Sequence, residues 1–373
     1  MSAQLVIPSA SERHRGRRFH FDGPLLLLLL VLTGYGLVVL YSALDANVAA
    51  FTAQFWRLML GFVALSLAAH LSPYHYLRWA PWIFGAGVLM SLAVPIFGVT
   101  VKGSTRWLDL PGLPTFQPSE IMKIAVPLML AWYLAEKPLP PQFKHVSVCG
   151  LIILVPVALI VIEPDLGTGI LVLASGLAVL LLAGIQWRWI SIAMLAGLSA
   201  APGIWFLLRG YQKERILTLF NPERDPLGAG WSIIQSKTAI GSGGIFGKGL
   251  LEGTQSHLDF LPESHTDFII AVMGEEMGLL GVLFLLLVYA MVLMRGMYVA
   301  VNAQDRFGRL LAGSLTVTFF VYVFVNIAMV SGLLPVVGVP LPLVSYGGTS
   351  IVTLMAAFGI IMSIHTHRKL ISR

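Results

Sequence analysis

Apolar residues fall along this chain in long blocks rather than in alternation. Ten runs stand out, at 24–44, 54–72, 77–99, 118–135, 146–162, 166–184, 188–208, 267–294, 309–331 and 345–365. Each is long enough to cross about 30 Å of hydrocarbon as a helix. Helices are the spans such runs fit, because lipid offers the backbone no hydrogen-bond partner and the runs are too long and too uniformly apolar for barrel strands. Most intervals between them are short, but the one at 209–266 is not. Loops of that length are uncommon unless they serve a function.

Composition strengthens this picture. With 57% hydrophobic and 11% charged residues and a mean hydropathy of +0.83, an ordinary soluble chain is excluded. The expected fold is an all-α polytopic membrane protein of about ten transmembrane helices with one long extracytoplasmic loop. Orientation follows from the Lys and Arg residues, most of which share one side: Arg13 to Arg18, Arg78, Lys137, Lys144, Arg188, Arg295, Arg306, Arg309 and the tail from Arg368. That side is cytoplasmic, so both termini are expected inside. The acidic residues show the opposite bias, which places any chemistry on the outer face.

The net charge of +6 is then mostly inner-face charge that suits topology and anionic membrane lipids, and it gives no reason to invoke nucleic acid. Cys149 is the single cysteine, so no disulfide frame and no thiolate metal site can form within the chain. Residues 1–23 read as a basic cytoplasmic N-terminus, 24–366 as one membrane domain and 367–373 as a cytoplasmic tail. The first apolar run lacks a clear cleavage site and is expected to be a span rather than a signal peptide.

Candidate chemistry lies in the outer intervals. Gln117-Pro-Ser-Glu120 predicts a helix start, with Pro in the first turn and Glu set against the helix dipole. The dipole does not account for Lys123, three residues on and already inside an apolar run, where a charge costs about 2.5–3.5 kcal/mol or more. Glu120 and Lys123 share a helical face, as a structural ion pair or as a pair facing a substrate. Glu163-Pro-Asp165 makes a tight outer hairpin, in which Asp165 can cap the next helix or join Glu163 in holding a cation.

In the long loop, Trp231 to Ile240 predicts a short amphipathic helix at the interface. Gly241 to Gly249 is rich in glycine but departs from a phosphate-binding P-loop. Ser242 stands where that motif begins with Gly, and Gly249 follows Lys248 where Ser or Thr is required. It reads as a turn, or as backbone that approaches a ligand closely. Glu263, His265, Asp267, Glu275 and Glu276 then crowd the start of an apolar run. Thr266 or Asp267 could serve as an N-cap, but so many titratable groups at a membrane boundary favour a catalytic or binding role for Asp267. The segment 332–350 is apolar yet broken by Pro335, Pro340 and Pro342. Non-helical backbone at that depth is expected to line the same outward cavity.

Taken in order, Lys102-Gly-Ser-Thr-Arg-Trp-Leu-Asp109, Phe116-Gln-Pro-Ser-Glu120, Glu163-Pro-Asp-Leu-Gly-Thr168, Asp225-Pro-Leu-Gly-Ala-Gly230, Ala239 to Gly244, Leu261 to Phe268 and Pro340 to Gly348 resemble the signature segments of the SEDS (shape, elongation, division, sporulation) family. The tail Ser363 to Lys369 is more similar to the elongation branch than to the division branch. The resemblance implies a peptidoglycan glycosyltransferase that polymerises lipid II on the outer face of the bacterial cytoplasmic membrane, with a class B penicillin-binding protein as partner. It makes Asp267 the catalytic candidate, and Trp107, Glu120, Lys123 and Asp165 match other positions tied to family activity. Glu163 departs from the pattern, which commonly has Gln before Pro-Asp.

That reaction is an inverting displacement in which the acceptor GlcNAc 4-hydroxyl attacks the donor MurNAc anomeric carbon and expels a polyprenyl diphosphate. A carboxylate beside the hydroxyl and positive charge at the leaving group serve it. Asp267 is the expected base, and Arg106 and Lys123, followed by Arg215 and Lys248, are the expected cations. Glu120, Asp165 and Glu276 would position Lys123 or a divalent cation (Mg²⁺ or Mn²⁺), with Asp165 and Glu120 the candidate ligands. His265 completes the substrate-binding candidates. A lipid II flippase is the rival, since charges in the membrane and broken helices also mark transporters. The outer-rim position of the charges and the lack of a visible inverted repeat count against it. A mere scaffold would leave the cost of the buried charges without purpose.

Overall fold

The computed structural model describes residues 20–101, 104–109, 115–207, 210–225, 228–257 and 260–367. Most of the expected N-terminal and C-terminal segments, and Lys102 with them, lie outside the described residues. Each of the ten expected apolar runs is a helix: α1 (Gly23–Ala43), α2 (Val48–His70), α3 (Pro73–Phe97), α4 (Pro118–Ala135), α5 (Phe143–Ile162), α6 (Leu166–Leu182), α7 (Trp187–Leu207), α11 (Ile269–Val301), α12 (Arg306–Val330) and α13 (Thr349–Thr366). Among the described residues, seven of these helices are long and apolar enough to cross a membrane, and Leu166–Leu182 is a shorter apolar helix.

Local chemistry sets several starts. Asp22 accepts from the Leu25 N–H at 2.9 Å, Asn47 from Ala50, Asp165 from Thr168 and Asp305 from Gly308. Each satisfies an orphan donor at a helix N-terminus.

α4, α6, α12 and α13 form the inner part of the bundle. α4 buries Met122, Ala125, Val126 and Leu130, and α12 buries Leu311, Phe319 and Met329. α1, α2, α3, α5 and α11 pack around them and turn residues such as Leu27, Leu67, Leu89, Leu151 and Leu287 outward. Those exposed side chains face lipid, where apolar surface carries no penalty. α7 is exposed along most of its length, with Trp187, Met194, Leu198 and Phe206 open.

The interval after α3, expected only to mix charges and turns, holds a β-hairpin of β1 (Gly98–Val101) and β2 (Ser104–Leu108), extended by a bridge from Leu108 to Phe116. The long loop is mostly helical, with α8 (Gly210–Phe220), a 3₁₀ turn at Pro222–Arg224, α9 (Ala229–Ser242) and α10 (Thr254–His257). α9 contains the expected short helix, packed against α11.

α11 also differs from a plain span, because it breaks at Gly278 (φ 64°, ψ −165°). The glycine-rich turn after α9 fills that break. The N–H groups of Lys248 and Gly249 donate to the carbonyls of Glu275 and Glu276, each at 3.0 Å, while those of Leu279 and Leu280 donate to Gly244 and Ile245. The backbone groups freed by the interruption are thereby paired, as apolar surroundings require.

Candidate active site

At the outer end of the bundle, the hairpin, the α5–α6 turn, α8, the 263–267 turn and the 338–350 segment enclose a cavity of about 520 Å³. Among the residues lining it are Arg106, Trp107, Gln117, Glu120, Lys123, Asp165, Arg215, Glu263, Asp267 and Tyr322. Seven of the expected site residues meet there: Arg106, Trp107, Glu120, Lys123, Asp165, Arg215 and Asp267.

Asp267 is not a helix cap. The cap of α11 is Phe268, with no side-chain hydrogen bond, and Asp267 sits in the preceding turn with its side chain lining the cavity. Two contacts hold that turn. Asn326 of α12 donates to the Asp267 carbonyl at 2.9 Å and to the Val339 carbonyl at 2.7 Å, tying the 263–267 turn to the broken segment. Tyr346 N–H donates to the His265 carbonyl at 2.9 Å, and the two rings meet edge to face. Gly338, at φ 74°, lies beside the carboxylate, where a Cβ would come 3.6 Å from Asp267 Oδ2. Its left-handed backbone lets the 338–350 segment turn toward Asp267.

Glu120 and Lys123 form an ion pair, Lys123 Nζ to Glu120 Oε1 at 2.5 Å, and that pair borders the cavity. Lys123 also donates to the Tyr322 hydroxyl, and Thr353 Oγ1 donates to Glu120 Oε2 at 3.1 Å. α4, α12 and α13 are joined here by a polar cluster at the cavity floor.

The wall beside it is built on Asp165. Gln117 Nε2 donates to its Oδ2 at 2.6 Å, Thr168 N–H to its Oδ1 at 3.1 Å, and Arg106 Nη1 lies 3.7 Å from Oδ1. Arg106 Nη2 donates to the Pro164 carbonyl at 2.5 Å. Glu163, two residues before Asp165, is buried behind this wall. Burial above all, with the Asp165 charge adding to it and Arg106 opposing, pushes its carboxyl up to about 8.

The candidate metal ligands are thus engaged by protein donors. Asp165 faces an amide, a backbone N–H and a guanidinium, while Glu120 faces an ammonium and a hydroxyl. Cationic neighbours repel a metal ion, so this donor set does not suit one. Among the described residues, no group of three or more His, Cys, Asp and Glu side chains is placed to hold a metal.

Lys248, His265 and Glu276 are not among the residues lining the cavity. Lys248 binds Glu275 Oε1 at 2.6 Å, a carboxylate that also receives Thr254 N–H, Thr254 Oγ1 and Gln255 N–H. Glu276 accepts from Ser42 Oγ at 2.8 Å, which in turn accepts from Leu251 N–H. Both carboxylates fasten the loop to the broken helix. Gln117, Tyr322, Asn326, Tyr346 and Gly338 were not singled out in the sequence as site residues. Tyr322 and Asn326 did leave a trace there, as polar groups one turn apart inside an apolar run.

Residues 24–370 match the family model of the FtsW, RodA and SpoVE cell cycle proteins. The chain is 50% identical over 357 residues to the peptidoglycan glycosyltransferase MrdB of Escherichia coli K12, covering 95% of this chain and 96% of that one. Its structure resembles a chain of a peptidoglycan synthase complex that coordinates polymerization and crosslinking, with TM-score 0.82, 30% identity and coverage of 94% and 99%. It also resembles the rod shape determining protein RodA of Thermus thermophilus, with TM-score 0.71, 26% identity and coverage of 94% and 98%.

Proposed function

The chain belongs to the FtsW, RodA and SpoVE family of cell cycle proteins, and from that premise we propose that its outward cavity is where glycan strands grow, with Asp267 as the general base. The protein is a peptidoglycan glycosyltransferase of the bacterial inner membrane, acting on lipid II alongside a class B penicillin-binding protein. The observation that carries the assignment of the site is the convergence of the Asp267 carboxylate with Arg106, Lys123 and Arg215 on one outward cavity.

In the proposed step, Asp267 takes the proton of the acceptor 4-hydroxyl as its oxygen attacks the donor anomeric carbon. The carbon–oxygen bond to the diphosphate breaks, and its electron pair leaves with the phosphate oxygen. Arg106 and Arg215 stabilise that growing charge, while Lys123, neutralised in part by Glu120, contributes from the floor. A diphosphate leaves as an anion, so the mechanism needs no protein acid. Trp107 offers an aromatic face to a sugar ring.

The test is glycan-strand formation from purified lipid II, comparing wild type with Asp267→Asn. Each is copurified with its penicillin-binding protein lacking the partner's active-site serine. Loss of a general base costs about 10²- to 10⁴-fold, so polymer should all but vanish from the folded, partner-bound variant. Equal polymerisation by both would remove Asp267 from the chemistry and move the search to Glu120 and Asp165. Absence of polymer from wild type would point to lipid transport instead.

A further inference from the structure

α4 and α12 contribute to the Asp267 cavity near one of their ends, and at the other they enclose a second cavity of about 360 Å³ together with the start of α3. Leu77 and Trp132 line its apolar side, and Glu136, Lys137, Asp305 and Arg306 its polar side. Tyr74, Trp132 and Trp187 are exposed at this same end, on α3, α4 and α7. Such amphipathic rings collect at the membrane–water boundary. The cavity therefore lies at the level of phospholipid headgroups.

Its charges are not spent on one another. Among the described residues, Lys137 Nζ has no hydrogen bond or ion pair and only overlies the Tyr133 ring, 5.6 Å from its centre. Arg306 uses one nitrogen, Nη1, which donates to the Lys137 carbonyl at 3.3 Å and so holds the two cationic residues together. The Glu136 carboxylate is likewise unpaired among the described residues. Asp305 is committed, because it accepts from Gly308 N–H as the cap of α12. The Tyr133 hydroxyl is hydrogen-bonded to His145 Nδ1 at 3.0 Å, which fixes the ring beneath Lys137. Two cations and one carboxylate are left for a ligand, beside an aromatic and apolar wall.

We propose that this cavity binds a phospholipid whose headgroup pairs a phosphate with a primary ammonium, as in phosphatidylethanolamine. Lys137 and Arg306 take the phosphate, Glu136 takes the ammonium, and the acyl chains leave along Leu77 and Trp132 into the bilayer. Basic pockets between spanning helices hold lipid phosphates, and the carboxylate narrows the choice of headgroup. A glycerol headgroup would satisfy the cations but set no charge against Glu136. A choline headgroup brings a charge but no N–H, so it forfeits the charge-assisted hydrogen bond. The site lies across the membrane from the Asp267 cavity, and the inference does not depend on the chemistry assigned there.

The experiment is native mass spectrometry of the full chain in detergent, titrated with the dioleoyl forms of phosphatidylethanolamine, phosphatidylglycerol and phosphatidylcholine. Wild type should bind the ethanolamine lipid roughly tenfold more tightly than either of the others, the weight of one charged hydrogen bond. Glu136→Gln should erase that preference. Arg306→Gln should weaken all three lipids by roughly tenfold, because each carries the phosphate. Both side chains are exposed, so the variants should melt with wild type in lipid-free detergent.

Equal affinities for the three lipids overturn the proposal, as does a preference that survives Glu136→Gln. Tighter binding of phosphatidylglycerol also overturns it, since the site would then be a plain anion pocket. Glycerophosphoethanolamine carries the same headgroup without chains, and it should compete only at concentrations roughly a hundredfold higher, having no apolar contacts to offer. Competition at the concentration of the lipid itself would make a soluble phosphate the occupant and reject the lipid. If either variant melts early, a photoactivatable phosphatidylethanolamine on wild type decides the matter. Label in the peptides holding Trp132 to Lys137 or Asp305 to Phe307 supports the site, and label confined to other peptides rejects it.

Discussion

Lys123 is 5% exposed, and in hydrocarbon or close to it an ammonium survives only with partners. Glu120, Tyr322 and Thr353 supply a closed set around the ion pair, three helices contributing. Removing one member of such a buried pair leaves the other charge uncompensated, at a cost of about 3–5 kcal/mol, whereas removing both is far milder. Lys123→Ala should therefore lower thermal stability in detergent sharply, and Lys123→Met combined with Glu120→Gln should recover much of the loss. Equal melting points for the single and double variants would show that the two residues do not depend on each other.

Glu163 makes a second prediction at this scale. Its folded value is raised above the ordinary carboxylate range, so the stability linked to its proton is fully present below that range and is lost as pH rises toward about 8. The melting advantage of Glu163→Gln over wild type should grow between about pH 5 and pH 8 and then level off. A pH-independent difference would mean that Glu163 is not protonated in the folded protein.

The interruption of α11 is a property of an element rather than of any one side chain. A helix that stops and restarts within the membrane must find partners for the carbonyls and N–H groups it frees, and the 244–249 turn supplies them. Gly278 has a backbone conformation that is almost confined to glycine and costs other residues about 1–3 kcal/mol. A Cβ at that position would also collide with Gly247 N and Ile245 O. Gly278→Ala should consequently reduce the yield and melting temperature of the protein by more than the conformational cost alone. The effect should resemble that of Glu275→Ala, which removes the carboxylate that gathers Lys248, Thr254 and Gln255. A Gly278→Ala protein that melts with wild type would argue that α11 can run straight.

For the whole molecule, the polar clusters mark the two ends of the bundle. Asp22, Arg295 and His365 join the starts or ends of α1, α11 and α13 at one end, with Arg295 bonded to both Asp22 oxygens at 3.0 and 2.7 Å. The Asp267 cavity lies at the other. If the first end is cytoplasmic, a cysteine at Glu252 should react with an impermeant thiol reagent in intact cells, and one at Glu136 only after permeabilisation, each in a Cys149→Ser background. Cys149 is buried and should contribute little signal even when retained. The reverse labelling pattern would invert the topology.

The ten apolar runs were enough to mark ten helices, and the bias of Lys and Arg to predict their orientation, because the bilayer imposes its thickness and dielectric on the chain one segment at a time. The outer carboxylates and cations were visible for the same reason, since each is expensive where it stands. Sequence could not say which of them meet. Lys248, Glu275 and Glu276 look as chemically suited to a site as Asp267 does, and only the break at Gly278 turns them into a clasp for the loop. Glu120, Asp165 and Asp267 belong to separate helices and turns, so their convergence depends on helix packing and on Asn326 tying two irregular segments together. Segment-by-segment properties such as hydropathy and topology were determined by the sequence itself, whereas pairing across hundreds of residues had to await the tertiary structure. Long-range contacts depend on shape complementarity among many elements at once.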